Sequence, residues 1–157
     1  MDIICYPPPR EQGVNYICVV AHVAKVGDNN VAAETKRILL VTDHNAFREA
    51  LAIRLDQEED FEVAWQAGSI AEARNVHLNG VDVAVVEPFL PDGDGLVLVR
   101  EVSVANPDAL ALVLSRKLDS SVQDQAIGAG AAEVLSTSAH IEEVIRAIRR
   151  TERRLNE

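Results

Sequence analysis

Polar residues close the long apolar runs of this 157-residue chain. Ile38-Leu39-Leu40-Val41 ends at Thr42 and Asp43. Val81 to Val86, broken only by Asp82, ends at Glu87. Ala109 to Leu114 ends at Ser115, and Ala132 to Leu135 leads into Ser136-Thr137-Ser138. This set offers the carboxylates of Asp43 and Glu87 and the hydroxyls of Thr42, Ser115 and Thr137. Converging carboxylates can hold a hard divalent cation, so Asp43 and Glu87 are residual candidates for Mg²⁺ or Ca²⁺. Asp92 and Asp94 could join them, but both sit in Pro91-Asp92-Gly93-Asp94-Gly95, where aspartate is an ordinary turn residue. His22, His44, His77 and His140 are scattered, without metal-ligand spacing. His44 is nearest the set, at a position that equally suits the start of a helix. Gly128-Ala129-Gly130 follows a helical stretch and lacks the third glycine of a dinucleotide loop. No P-loop, nucleophile elbow or pair of catalytic carboxylates is present, so no enzyme is expected.

Apolar spacing predicts the elements that carry these residues. Continuous apolar runs suit strands buried on both faces, as in a parallel sheet. Phe47, Ala50, Leu51 and Leu55 form one helical stripe. Phe61, Val63 and Trp65 alternate as in a half-exposed strand. Ser69 with Glu72 is a capping-box signature, predicting a helix from there to Gly80. Leu96, Val99, Val102 and Val104 predict the inward face of the next helix. A short helix is expected over 120–128, with Gly128 and Gly130 at its exit. Ile141, Val144, Ile145, Ile148 and Leu155 mark the last stripe. Strands alternating with helices imply a parallel α/β sheet covered on both faces. In such sheets the working site lies beyond the carboxyl ends of the strands, where Thr42, Asp43, Glu87, Ser115 and Thr137 stand.

Composition supports a core of this kind. Hydrophobic residues make up 48% of the chain and charged ones 25%, while aromatics are only 4%, so Val, Ala, Leu and Ile must fill the interior. The net charge of −10 argues against direct binding of nucleic acid or an anionic membrane. Cys5 and Cys18 suggest no disulfide framework, and a cytoplasmic setting is expected.

These residues carry a resemblance. Ile38-Leu-Leu-Val-Thr-Asp-His-Asn-Ala-Phe-Arg-Glu-Ala-Leu51, Asp82-Val-Ala-Val-Val-Glu-Pro-Phe-Leu-Pro-Asp-Gly-Asp-Gly-Leu96 and Gly130-Ala-Ala-Glu-Val-Leu-Ser136 resemble the receiver domain of two-component response regulators. The likeness is nearest to receivers that precede a helix-turn-helix domain. It implies a flavodoxin-like, doubly wound sheet of strand order 2-1-3-4-5. It divides the chain into an N-terminal extension, residues 1–35, disordered or carrying an extra strand, and a receiver-like domain, residues 36–155. The apolar segment Tyr16–Val26 is read as an extra strand or sticky extension there; in the competing reading Val31 is the start and residues 1–30 are not part of the protein. No output domain is expected after Glu157.

The resemblance implies phosphoryl transfer to an aspartate ending the third strand. An acidic pair after the first strand would help hold Mg²⁺. A hydroxyl ending the fourth strand and a lysine ending the fifth would read the phosphoryl group. Here the acidic pair is Thr42-Asp43, the acceptor position holds Glu87, Thr137 stands at the lysine position, and Val134 replaces a frequent switching aromatic. Asp43 and Ser115 are retained. Glu87 moves its carboxylate by about 1.5 Å, one carbon–carbon bond. A misplacement of about 1 Å can cost on the order of 10²-fold in a positioned reaction. Loss of a carboxylate at Thr42 weakens Mg²⁺ binding, so no cofactor is expected. The sequence is read as an atypical receiver that signals without phosphorylation, through protein–protein contact. Glu87 either accepts a bond from Ser115 and holds a permanently signalling state, or is a carboxylate in a relic pocket. A phosphorylation-competent receiver and a small α/β nucleotide-binding protein or enzyme are the alternatives.

The last helix concentrates arginine. Residues 141–157 hold Arg146, Arg149, Arg150, Arg153 and Arg154 against four acidic residues. Arginine near a helix C-terminus complements the dipole, and it could equally serve an acidic partner. By the resemblance, the last two strand–helix units, residues 120–152, form the face for a protein partner or for self-association, with Arg146, Arg149 and Arg150 on it.

Overall fold

The computed structural model describes residues 35–155. The N-terminal extension, apart from Thr35, lies outside them, and so do both readings of it, the extra strand over Tyr16–Val26 and the start at Val31. In chain order the elements are β1 (Lys36–Val41), α1 (Asn45–Asp56), β2 (Phe61–Ala67), α2 (Ile70–Ala73), a 3-10 turn (Leu78–Gly80), β3 (Val83–Val86), β4 (Phe89–Leu90), β5 (Gly93–Asp94), α3 (Leu96–Ala105), β6 (Leu110–Ser115), α4 (Ser120–Ala129), β7 (Glu133–Ser136) and α5 (Ile141–Leu155). The main sheet is parallel, in the order β2-β1-β3-β6-β7. Without the small antiparallel hairpin β4–β5, this is the predicted flavodoxin-like order 2-1-3-4-5.

The apolar runs have a direct physical meaning. Alternate strand residues face opposite sides, and both sides are covered. Ile38, Leu40, Val83, Val85, Leu112 and Leu114 pack with Leu51 and Leu55 of α1 and Val144, Ile145 and Ile148 of α5. On the other side, Leu39, Val41, Ala84, Val86, Ala111 and Val113 pack with Leu98, Val99 and Val102 of α3 and Ala126 of α4. The second face uses smaller strand residues, so α3 and α4 sit against alanine and valine.

Several sequence expectations need correction. Phe61 and Val63 face α1 and α5, but Trp65 and Ala67 face the other side. The register shifts there: Ile38 pairs with Val63 and Leu39 with Trp65. The extra residue, Ala64, reverses the alternation, as a β-bulge does. Trp65 is then covered by Arg37, whose guanidinium lies 4.4 Å from the ring centroid. The helix predicted from Ser69 to Gly80 stops at Ala73. Val76 and Leu78, two residues apart, both pack on the core, a spacing that a continuous helix would turn to different sides. Val104 is 83% exposed and Leu155 is 61% exposed. Val104 lies two residues past buried Val102, roughly 200° round the helix. The buried stripe of α5 ends at Thr151, one turn before Leu155. Ala50 is exposed and Ala52 takes its place in the core.

Candidate functional site

The site is built by the parallel ladder. The Glu87 amide donates to the Val41 carbonyl at 2.9 Å, and the Thr42 amide donates to the Ala67 carbonyl at 3.0 Å. Thr42 and Glu87 therefore leave adjacent strands side by side. The loop after Glu87 curls back through β4–β5, and the Gly95 amide donates to the Pro88 carbonyl at 2.8 Å. Gly95 has no space for a side chain, since a Cβ there would lie 2.1 Å from the Glu87 carbonyl oxygen. The chain thus needs glycine at this position for close approach.

Glu87 is 3% exposed and Thr42 is 5% exposed. Thr42 Oγ1 donates to Glu87 Oε2 at 2.7 Å and accepts from the His44 amide at 3.3 Å. The hydroxyl is thereby oriented, with its O–H directed at the carboxylate. The second carboxylate oxygen, Oε1, lies 3.1 Å from Nε of Arg116. Nη2 of the same guanidinium lies 3.4 Å from Asp43 Oδ1. One cation therefore serves both acids of the site. Burying a carboxylate without such partners would be costly.

The remaining predicted residues take distinct places. Ser115 is fully buried, but its Oγ donates to the Lys117 carbonyl at 2.7 Å and accepts from the Lys117 amide at 3.2 Å. The hydroxyl that reaches Glu87 is that of Thr42, not Ser115. Thr137 lines an open cleft of about 210 Å³ with Thr42, His44, Phe47, Glu87 and Arg116. His44 caps α1, its Nδ1 accepting from the Phe47 amide at 3.2 Å. Val134 is partly buried against the α3–α4 side of the core.

Asp92 and Asp94 do not join Asp43 and Glu87. Asp92 accepts from the amides of Ile70 and Ala71 at 2.9 and 3.0 Å. These bonds to the start of α2 hold its carboxyl below the usual range. Asp94 accepts from the Leu96 amide at 2.9 Å. Among the described residues no group of three or more His, Cys, Asp and Glu side chains is placed to hold a metal ion.

Two basic residues at this end were missed by the sequence reading. Arg116 directly follows Ser115, so its place beside a strand end was legible, but its direction was not. Arg48 reaches back from α1 to the Thr42 carbonyl at 2.5 Å and to Asn45 Oδ1 at 2.8 Å, fixing the turn that presents Thr42 and Asp43. The arginines of α5 divide. Arg149 pairs with Glu58 and Asp60 at 2.5 and 3.1 Å and lies over Phe61. Arg150 pairs with Glu133. Arg146 is 73% exposed, with Glu143 at 3.6 Å. Arg149 thus turns toward the α1–β2 flank, and Arg146 is the freest of the three.

The family model of the response regulator receiver domain matches residues 38–149. The chain belongs to this family. The receiver is 33% identical over 114 residues to the DNA-binding transcriptional activator DevR/DosR of Mycobacterium tuberculosis, covering 72% of this chain and 52% of that protein. The receiver spans about half the length of the curated relatives it matches. The solved non-phosphorylated HemR receiver domain of Leptospira biflexa superposes with a TM-score of 0.68 at 31% identity, covering 75% of this chain and 94% of that one. The signal receiver domain of the response regulator NarL of M. tuberculosis superposes with a TM-score of 0.67 at 25% identity, covering 76% and 98%. This is therefore a response regulator receiver of the two-component type. No helix among its described residues is long and apolar enough to cross a membrane.

Proposed function

We propose that this receiver signals without phosphorylation, by binding a protein partner or a second copy of itself in the cytoplasm, and that it is not an enzyme. The observation that carries this reading is the buried bond from Thr42 Oγ1 to Glu87 Oε2. At the acceptor position, a carboxylate oxygen that would attack a phosphoryl group is already hydrogen-bonded to its strand neighbour. The other oxygen faces Arg116. Attack through either oxygen would compete with the contact that this oxygen already makes, and Thr137 offers no lysine ammonium to the incoming phosphoryl group. The contact face comprises the last two strand–helix units, residues 120–152, with Arg146 exposed on it.

Incubation of the full chain with acetyl phosphate and Mg²⁺, read by intact mass and peptide mapping, tests this. The proposal expects no added phosphate. A phosphate mapped to Glu87 would overturn it.

A further inference from the structure

The acidic site of this receiver does not fit the divalent cation that its family resemblance implies. Mg²⁺ asks for near-octahedral oxygen ligation, with one or two carboxylates turned toward it. Here Glu87 Oε2 faces the Thr42 hydroxyl, Glu87 Oε1 faces Arg116 Nε, and Asp43 Oδ1 faces Arg116 Nη2. The other nearby acids, Asp92 and Asp94, face backbone amides. Three of the four carboxylate oxygens of Asp43 and Glu87 are thus turned toward donor groups.

We infer that Arg116 is a tethered cation that takes the metal's place between Asp43 and Glu87, making the cleft independent of divalent metal and fastening the β6–α4 loop to the ends of β1 and β3. The inference rests on the proposed phosphorylation-independent reading and deepens it. The guanidinium suits the role chemically. It is planar, permanently charged and strongly forked, so one group can meet two carboxylates. Tethering makes its encounter with them intramolecular, which gives it an advantage over a dissolved ion. It also offsets one of the two negative charges that would attract such an ion.

The mechanical consequence follows from the neighbouring bonds. Ser115 Oγ closes a turn on both the amide and carbonyl of Lys117. Asp119 caps α4 by accepting from the Val122 amide at 2.9 Å. Arg116 lies within the first of these turns and adds a tie to Asp43 and Glu87. The path into α4 is therefore held at three places without a bound ligand. The Arg116 side chain is 60% exposed while that of Glu87 is 4% exposed. The tie covers the buried acid from the solvent side, and the Arg116 side chain is itself exposed rather than part of the core.

The test is Mn²⁺ and Mg²⁺ titration of the full chain without a phosphoryl donor. It is read by calorimetry and thermal shift, with amide exchange of Lys117 and Leu118 measured in parallel. Wild type and Arg116→Lys are expected to show no saturable binding at millimolar metal. Arg116→Ser is expected to bind one ion at least about tenfold more tightly and to exchange the Lys117 and Leu118 amides faster. Adding Asp43→Asn to Arg116→Ser should abolish the gain. Wild type binding metal as tightly as Arg116→Ser would overturn the inference. So would Arg116→Ser gaining no affinity. Because no phosphoryl donor is present, these outcomes are separate from phosphorylation of Glu87, which bears on the underlying reading alone.

Discussion

At the cleft, Arg116 meets a carboxylate that is almost wholly buried. On the flank between α1 and α5, Arg54 and Arg149 hold Glu58, Glu142 and Asp60 nearer to water. Both regions use guanidinium against carboxylate, but the surroundings give the pairs different work. On the flank, Arg54 reaches Glu142 at 2.7 Å and Arg149 reaches back from α5 to the α1–β2 loop. Each such pair contributes little by itself in open solvent, and together they align two helices already held by Leu51, Leu55 and Ile148. In the cleft, removing a partner leaves a charge with nowhere to go. The flank therefore adjusts a stable contact, while the cleft decides what its acidic group can do.

Four changes probe that contrast, from the largest expected effect to the smallest. Gly95→Ala forces a side chain onto the Glu87 carbonyl and should destabilise the fold by about 3 kcal/mol, measured by urea unfolding. Thr42→Val removes the donor to a buried carboxylate while preserving shape, and should cost about 1–3 kcal/mol. A neutral result for Thr42→Val would show that Glu87 is not committed to this bond. Arg149→Ala removes flank pairs and the cover over Phe61, and should cost no more than about 1 kcal/mol, less at high salt. A loss equal to that of Thr42→Val would erase the distinction between the two regions.

The smallest effect concerns acid. Hydrogen bonds from Arg54, then Arg149, hold the Glu58 carboxyl below its ordinary range. A group with a depressed folded-state pKa contributes stability above its unfolded value and loses it as pH falls through the folded value. Glu58→Gln should therefore reduce stability near neutral pH and leave a shallower decline in acid, read by thermal unfolding across pH. An unchanged acid slope would show that the flank pairs carry no linkage.

The sheet was legible because its strands are apolar on both faces. That property produces the continuous runs ending at Thr42, Glu87 and Ser115. The same logic located the cleft, since strand carboxyl ends are fixed once a parallel sheet is recognised. What it could not show depends on direction or on distant partners. Ala64 looks like any strand residue, yet its bulge turns Trp65 to the opposite face. Asp92 looks like a turn residue, and it is one, but its carboxylate also caps α2 from across the loop. Arg116 lies just past the periodic strand, where spacing no longer says which way a side chain points. Ser115 occupies its expected place, and only the geometry of Lys117 shows that its hydroxyl is used within its own turn.

On the proposed reading, the strand-end residues, not the scaffold, keep this receiver out of the phosphorylation cycle. The most direct measurement is an amide NMR titration with beryllofluoride and Mg²⁺. It compares wild type with a chain carrying Thr42→Asp, Glu87→Asp, Arg116→Ala and Thr137→Lys together. The wild-type spectrum should stay unchanged, and the substituted chain should show saturable shifts through residues 115–137. Saturable shifts of that same stretch in wild type would contradict the proposed reading.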